Sequence, residues 1–262
     1  IDLFTKLKIQ TFYPTIIMSS ERQEINKVSP WWGEHLHRYE EILKSLTGNE
    51  TILDIACGSG FGTHLLSTSS TGQVYGGDLS SEAINLCQKT WNKDNLSYEI
   101  MDGTQLKFED NYFDVVVSFE TIEHTTKFNE MIQELKRVVK PNGTIYLSTP
   151  NIKVNSPSGI VRNPYHTQEW DYNEFKEIVK THFSKFKLYG QQYSRYNKKG
   201  IAYTIESLLY KRGVRKLPNK IQNNIMKLFG QATIYPSIND YTMLSSPEMI
   251  ARCKTFFVIC KK

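Results

Sequence analysis

Cysteine is scarce in this 262-residue chain, and its four cysteines, Cys57, Cys87, Cys253 and Cys260, stand far apart with no C-x-x-C pair. That spacing argues against a zinc knuckle and a disulfide framework alike and fits a reducing, cytoplasmic setting. Long apolar runs are also missing. Lys6, Lys8 and Pro14 interrupt the apolar residues of the first stretch, which supplies neither a signal-peptide core nor the roughly 20 apolar residues of a spanning helix, so no membrane span is expected. Charge of one sign is not concentrated either, since 32 basic and 27 acidic residues leave a net +5 without a long Lys/Arg block. The short basic stretches Lys198-Lys199 and Lys211 to Lys216 read first as solvated surface, which makes nucleic acid a disfavoured partner. The chain opens on Ile1 and not on a methionine, so whether its first residues are native stays open and the fold argument sets them aside.

What is present is one long alternation of strand and helix patterns, enough chain for one buried α/β core. Trp31 to Leu46 places Leu36, Tyr39, Leu43 and Leu46 at helical spacing ahead of that core. Thr51 to Ala56 is a short apolar run that enters Cys57-Gly58-Ser59-Gly60-Phe61-Gly62, and helical spacing resumes at His64. Gln73 to Gly77 reads as a second strand, followed by a helix capped at Ser80 or Ser81. Leu96, Tyr98 and Ile100 mark a third strand and Phe113 to Phe119 a fourth, apolar enough to be central. A helix stripe from Phe128 to Val139 ends at Pro141-Asn142-Gly143, and Thr144 to Thr149 is a fifth strand. Beyond Pro150, Asp171-x-x-Glu174 is a capping box for a helix through Phe183. Phe186 to Tyr189 and Thr255 to Cys260 are further strands. Between them, about 193–248 reads as a helical insertion, with helices near Ile201 to Tyr210 and Ile221 to Phe229. The expected organisation is an N-terminal segment with a lid helix over 1–47 and one domain over 48–262. Its expected fold is a doubly wound, mostly parallel sheet.

In such sheets ligands bind outside the carboxyl ends of the strands, and several polar groups fall there. The turn Asp54-Ile55-Ala56-Cys57-Gly58-Ser59-Gly60 offers main-chain N–H groups at a helix start, and its glycines let a ligand approach closely. Its spacing is not the dinucleotide G-x-G-x-x-G. Asp78 at the end of the second strand can accept both hydroxyls of a ribose, and Asp102 ends the third strand in Ile100-Met101-Asp102-Gly103. The fourth strand delivers Phe119-Glu120-Thr121-Ile122-Glu123-His124 to the same edge.

This order of motifs resembles the class I S-adenosylmethionine methyltransferases. It is carried by Ile-Leu-Asp-Ile-Ala-Cys-Gly-Ser-Gly, Gly-Gly-Asp-Leu-Ser, Met-Asp-Gly, Phe-Asp-Val-Val-Val-Ser-Phe-Glu-Thr-Ile-Glu-His and Leu-Lys-Arg-Val-Val-Lys-Pro-Asn-Gly-Thr. The resemblance implies S-adenosylmethionine as cofactor and S-adenosylhomocysteine as product. It implies a seven-stranded Rossmann-like sheet with an antiparallel last strand. The cofactor contacts it implies are Asp54, Ala56, Gly58, Gly60, Asp78, Leu79, Asp102, Gly103, Phe119 and Glu120. Ala56 stands where many members have glycine. Two further stretches, Glu34-His35-Leu36-His37-Arg38-Tyr39-Glu40 and Asn163-Pro164-Tyr165-His166 with Glu169, look like a subgroup found beside sugar- and polysaccharide-building enzymes. They imply a lid helix, a substrate wall and a glycan or small-molecule hydroxyl as methyl acceptor.

For such an acceptor a base near neutral pKa is wanted, and His166 and His124 are the candidates, each weighed against a structural histidine bonded to backbone. His35 and His37 read rather as solvated or helix-capping residues. Trp31, Trp32, Tyr165 and Trp170 read as hydrophobic staples before stacking platforms. Asp114, Glu120 and Glu123 supply no recognisable metal set, so no metal is expected. The rival readings are a methyltransferase acting on RNA or protein, a nicotinamide oxidoreductase disfavoured by the glycine spacing, and a non-catalytic cofactor-binding partner.

Overall fold

A computed structural model describes residues 32–193 and 238–262. Helix α1, Trp32–Leu43, turns the buried stripe of Leu36, Tyr39 and Ile42 inward. Strand β1, Ile52–Ile55, then leads to α2, Phe61–Ser69, and β2, Val74–Asp78, to α3, Ser81–Thr90. Ser80 caps α3 by accepting from the Ala83 N–H. Strands β3, Leu96–Ile100, and β4, Phe113–Phe119, precede α4, Phe128–Val138. Strand β5 runs Val139–Pro150, so the Pro-Asn-Gly turn lies within it, with Asn142 at φ 66°. After the short α5, Ile152–Asn155, comes α6, Tyr172–His182, whose capping box between Asp171 and Glu174 is formed in both directions. Strand β6 is Lys185–Tyr193, β7 Tyr241–Leu244, α7 Pro247–Ile250 and β8 Thr255–Lys261.

The strands form one sheet in the order β3-β2-β1-β4-β5-β8-β6-β7. Pairs among β1 to β5 are parallel, while β8 runs antiparallel to β5 and β6, and β7 antiparallel to β6. Alternation along β4 sends Val115, Val117 and Phe119 to the face covered by α1 and α2, and Val116 to the face covered by α4 and α6, where a register shift between Phe113 and Val115 places Phe113 too. Burial on both faces explains why five of the seven β4 residues are apolar. Chain order reverses between β1 and β4, and the carboxyl ends of those strands open the crevice that such a switch point creates.

One expectation is corrected. Among the described residues the sheet has eight strands, not seven, because β7 lies inside the stretch read as a helical insertion. It is a four-residue edge strand, too short to show a clear alternation. Of 193–248, only Tyr193 and 238–248 belong to the described residues. They hold the end of β6, a 3₁₀ turn at Ile238–Asp240, β7 and the start of α7. The helices expected near Ile201 to Tyr210 and Ile221 to Phe229, the basic pairs near them and Trp31 lie outside the described residues. Among the described residues no helix is long and apolar enough to cross a membrane.

Candidate active site

A cavity of about 850 Å³ lies at the carboxyl ends of β1 to β5, within the usual range of small-molecule sites. The turn after β1 forms one wall. Ala56, Gly58 and Gly60 all have positive φ, at 60°, 56° and 74°, so the chain coils tightly here. A Cβ built on Gly58 would meet nothing within 4 Å, so this residue faces open space. The Asp78 carboxylate is fixed by two main-chain donors, accepting from Gly58 N at 3.0 Å and from Ser80 N at 2.9 Å. Asp102 accepts from the Thr104 N–H at 2.8 Å and hydroxyl at 2.7 Å, and these bonds hold its carboxyl below the usual carboxylate range. Leu79 lines the same space with 70% of its surface exposed.

Of the ten expected cofactor contacts, Ala56, Gly58, Asp78, Leu79, Asp102, Gly103, Phe119 and Glu120 line the cavity, whereas Asp54 and Gly60 do not. Asp54 is buried beneath the turn, accepting from the Tyr39 hydroxyl at 3.1 Å and the Thr63 hydroxyl at 2.7 Å. Burial pushes its carboxyl up to about 7 although both hydroxyls oppose the shift. Gly60 sits at the start of α2, where a Cβ would come within 2.7 Å of Cys87 Sγ. The main-chain carbonyl of Gly60 accepts from the Tyr98 hydroxyl at 2.8 Å. Both residues therefore shape the turn from below. Glu120 shares with Ala56 a left-handed backbone, at φ 50°, a conformation that costs a non-glycine residue about 1–2 kcal/mol and clusters at functional sites.

Helix α1 closes another side with Glu34, His35 and Tyr39, joined by Lys254 from the far end of the chain. None of the sequence patterns pointed to Lys254. Its Nζ donates to Glu34 Oε2 at 2.8 Å, and the Thr255 hydroxyl donates to Oε1 at 2.9 Å. His37 is not solvated, as its spacing had led us to expect. It is buried, with Nδ1 3.1 Å from Gln191 Nε2. Trp32 and Trp170 pack into the cores on Phe61 and Phe128, while Tyr165 lines the cavity, half exposed.

His124 and His166 both line the opposite end, their rings 4.7 Å apart and perpendicular. The 3₁₀ turn Ile122–His124 carries the first. The loop carrying the second is tied to that turn by Thr167, whose N–H and hydroxyl both donate to the Glu123 carbonyl, and by Gln168, which donates to the Thr125 carbonyl. His166 Nδ1 lies 2.7 Å from Glu169 Oε1, and that buried carboxylate also accepts from the Ser156 hydroxyl. Glu123 is fully buried below the two rings. Asp114 is at the other end of β4, paired with Lys140 at 2.9 Å.

Residues 53–147, which hold β1 to β4 and most of β5, match a family model described as a methyltransferase domain. Outside this segment lie α1, the His166 loop and the antiparallel strands. A probable S-adenosylmethionine-dependent methyltransferase of Mycolicibacterium smegmatis is 28% identical over 152 residues, 58% of each chain. A fatty-acid O-methyltransferase of the same organism is 30% identical over 131 residues, covering 50% of this chain and 46% of that protein. The chain thus spans about half the length of the curated relatives it matches. The likeness in fold extends beyond the matched segment. A SAM-dependent methyltransferase structure from Archaeoglobus fulgidus superposes with a TM-score of 0.58 over 88% of this chain and 94% of that one, at 17% identity.

Proposed function

We propose that this protein is an S-adenosylmethionine-dependent methyltransferase that transfers a methyl group to a hydroxyl oxygen of a small molecule or glycan. The observation that carries this reading is the continuity of the cavity, which joins the Gly58 turn, Asp78 and Asp102 at one end to His124 and His166 at the other. The first end fits the cofactor chemically. Asp78 suits a ribose diol, Asp102 an adenine amino group, Leu79 and Met101 the faces of the base, and the open Gly58 main chain the methionine part. Ala56, Gly103, Phe119 and Glu120 complete the contacts, while Asp54 and Gly60 act by holding the turn. When bound, the cofactor supplies a methyl group on a positively charged sulfur.

The residues at the second end then have two tasks, to align the acceptor oxygen for in-line attack and to take charge of its proton. Glu169 orients the His166 ring, and His124 stands beside it, so the imidazoles form the proton-handling wall. Helix α1 covers the cofactor end and keeps water out. The relative named for O-methylation of a fatty acid supports a small acceptor.

A panel of sugars, glycosides and hydroxylated lipids, offered with radiolabelled S-adenosylmethionine, tests this reading. Transfer to a hydroxyl compound is expected, with kcat reduced about 10²–10⁴-fold in His166→Ala and cofactor affinity unchanged. Transfer to RNA or protein alone would overturn the acceptor assignment.

A further inference from the structure

We propose that Glu123, His124 and His166 hold a first-row divalent cation of the Zn²⁺ or Mn²⁺ type at the acceptor end of the cavity. One donor atom from each of the three lies within 4.8 Å of the others. This inference relies on the methyltransferase reading for what the ion does, and not for whether it binds.

The buried carboxylate is the first support. Glu123 has no exposed surface, and its Oε2 accepts from the Thr149 hydroxyl at 3.0 Å, but its Oε1 has no hydrogen-bond partner. Burying such an oxygen without a partner is costly, and a cation removes the cost. The tautomers are the second support. His124 Nδ1 lies 3.1 Å from the Tyr165 carbonyl, which can only accept, so Nδ1 carries the hydrogen and Nε2 the lone pair. His166 Nδ1 faces Glu169 Oε1 in the same way, again leaving its lone pair on Nε2. A histidine anchored through one nitrogen by a carboxylate or carbonyl is how proteins orient metal-binding imidazoles. Asn163 Nδ2 donates to the His166 Nε2 lone pair at 2.8 Å, and coordination exchanges that hydrogen bond for a stronger bond.

Two imidazoles with one carboxylate suit borderline transition ions better than Mg²⁺ or Ca²⁺, and three protein ligands leave positions open toward the cavity. An acceptor hydroxyl bound there loses its proton to water more readily at neutral pH. Its oxygen then forms the C–O bond to the methyl carbon while the C–S bond breaks and its electron pair stays on sulfur. The imidazoles thus act on the proton through the ion.

Full-length protein, dialysed against a chelator, is titrated calorimetrically with Zn²⁺ and with Mn²⁺, and S-adenosylmethionine is titrated in parallel. One ion per chain is expected, weakened at least about tenfold in Glu123→Gln, His124→Asn and His166→Asn, and unchanged in His182→Asn on α6. His124 is exposed, so its variant tests the site even if Glu123→Gln fails to fold. No stoichiometric uptake, or uptake indifferent to the His124 and His166 substitutions, overturns the proposal. Cofactor binding without metal binding sinks this inference alone, and metal binding without cofactor binding sinks the methyltransferase reading alone.

Discussion

Arg38 Nη1 donates to Gln191 Oε1 at 2.7 Å, tying α1 to β6 across most of the chain. The Gln191 amide in turn donates to the Glu34 carbonyl at 2.8 Å. Arg38 has no exposed surface, its guanidinium lies 3.7 Å from Glu34 Oε1, and it stacks 5.6 Å above the Phe119 ring. The helix that covers the cavity is therefore docked through buried polar bonds as well as through Leu36 and Ile42.

Removing Arg38 leaves the buried Gln191 Oε1 without its donor, while Glu34 keeps Lys254 and Thr255. Arg38→Leu is therefore expected to lower stability by about 1–3 kcal/mol. Lys44→Ala, which loses an exposed pair with Glu41, should cost no more than about 1 kcal/mol. Urea denaturation of both variants checks the contrast, and equal effects would contradict the docking role of Arg38.

The same helix makes stability depend on pH in a defined direction. Burial, aided by Arg38, holds His35 down to about 3, and burial holds His37 down to about 4. For Glu34 burial alone would raise the carboxyl, but Lys254 and Arg38 hold it down to about 2. All three bind a proton more weakly in the fold than in the unfolded chain. The histidine contribution is therefore complete above the ordinary imidazole value of about 6.5 and is lost as pH falls toward 3. The Glu34 contribution is lost below about 4.5. Asp54, raised to about 7, runs the other way, contributing fully below its ordinary value of about 3.8 and losing that contribution as pH rises through 7. Burial also holds His64 and His182 down and pushes Glu123 and Glu40 up, so four histidines oppose three carboxyls and Tm should rise from pH 4.5 to a maximum near 6.5. A Tm that climbs steadily as pH falls below 6 would contradict it.

Gly58 in the turn and Gly62 in α2 should respond differently to an added methyl group. At Gly58 the Cβ enters open cavity space and only the left-handed φ opposes it, so Gly58→Ala should cost about 1–2 kcal/mol and weaken cofactor binding. At Gly62 the Cβ would overlap the Tyr39 ring, which is pinned to Asp54, so Gly62→Ala should destabilise the fold more than Gly58→Ala. Thermal melts with and without S-adenosylmethionine separate the two effects.

The inner parallel strands β1, β2, β4 and β5 are legible in the sequence because they are covered on both faces, and the edge strand β3 because Leu96, Tyr98 and Ile100 alternate along it. Phe113 to Phe119 emerges with the bounds read from the sequence, and the Asp171 box emerges because capping is a local interaction. Strand β7 is not legible, since an edge strand of four residues shows only two side chains to a face. The cavity is legible where one chain segment supplies its residues, as at Ala56 to Gly58 or Asp78-Leu79. Lys254 and the docking of α1 depend on contacts between distant segments, as does the meeting of His124 with His166. Asp54 is a polar residue of the ligand-binding motif whose side chain is buried on Tyr39 and Thr63, contacts that the motif itself does not reveal.

The most direct test of the methyltransferase reading is a calorimetric titration of the purified protein with S-adenosylmethionine and S-adenosylhomocysteine, with NAD as control and Asp78→Ala as a second protein. Both sulfur nucleosides should bind, at least about tenfold more weakly to the variant, the loss expected when charged hydrogen bonds worth about 1.5–3 kcal/mol are removed, and NAD should not bind. Failure of well-folded protein to bind either sulfur nucleoside, or binding indifferent to the loss of the Asp78 carboxylate, would contradict the reading.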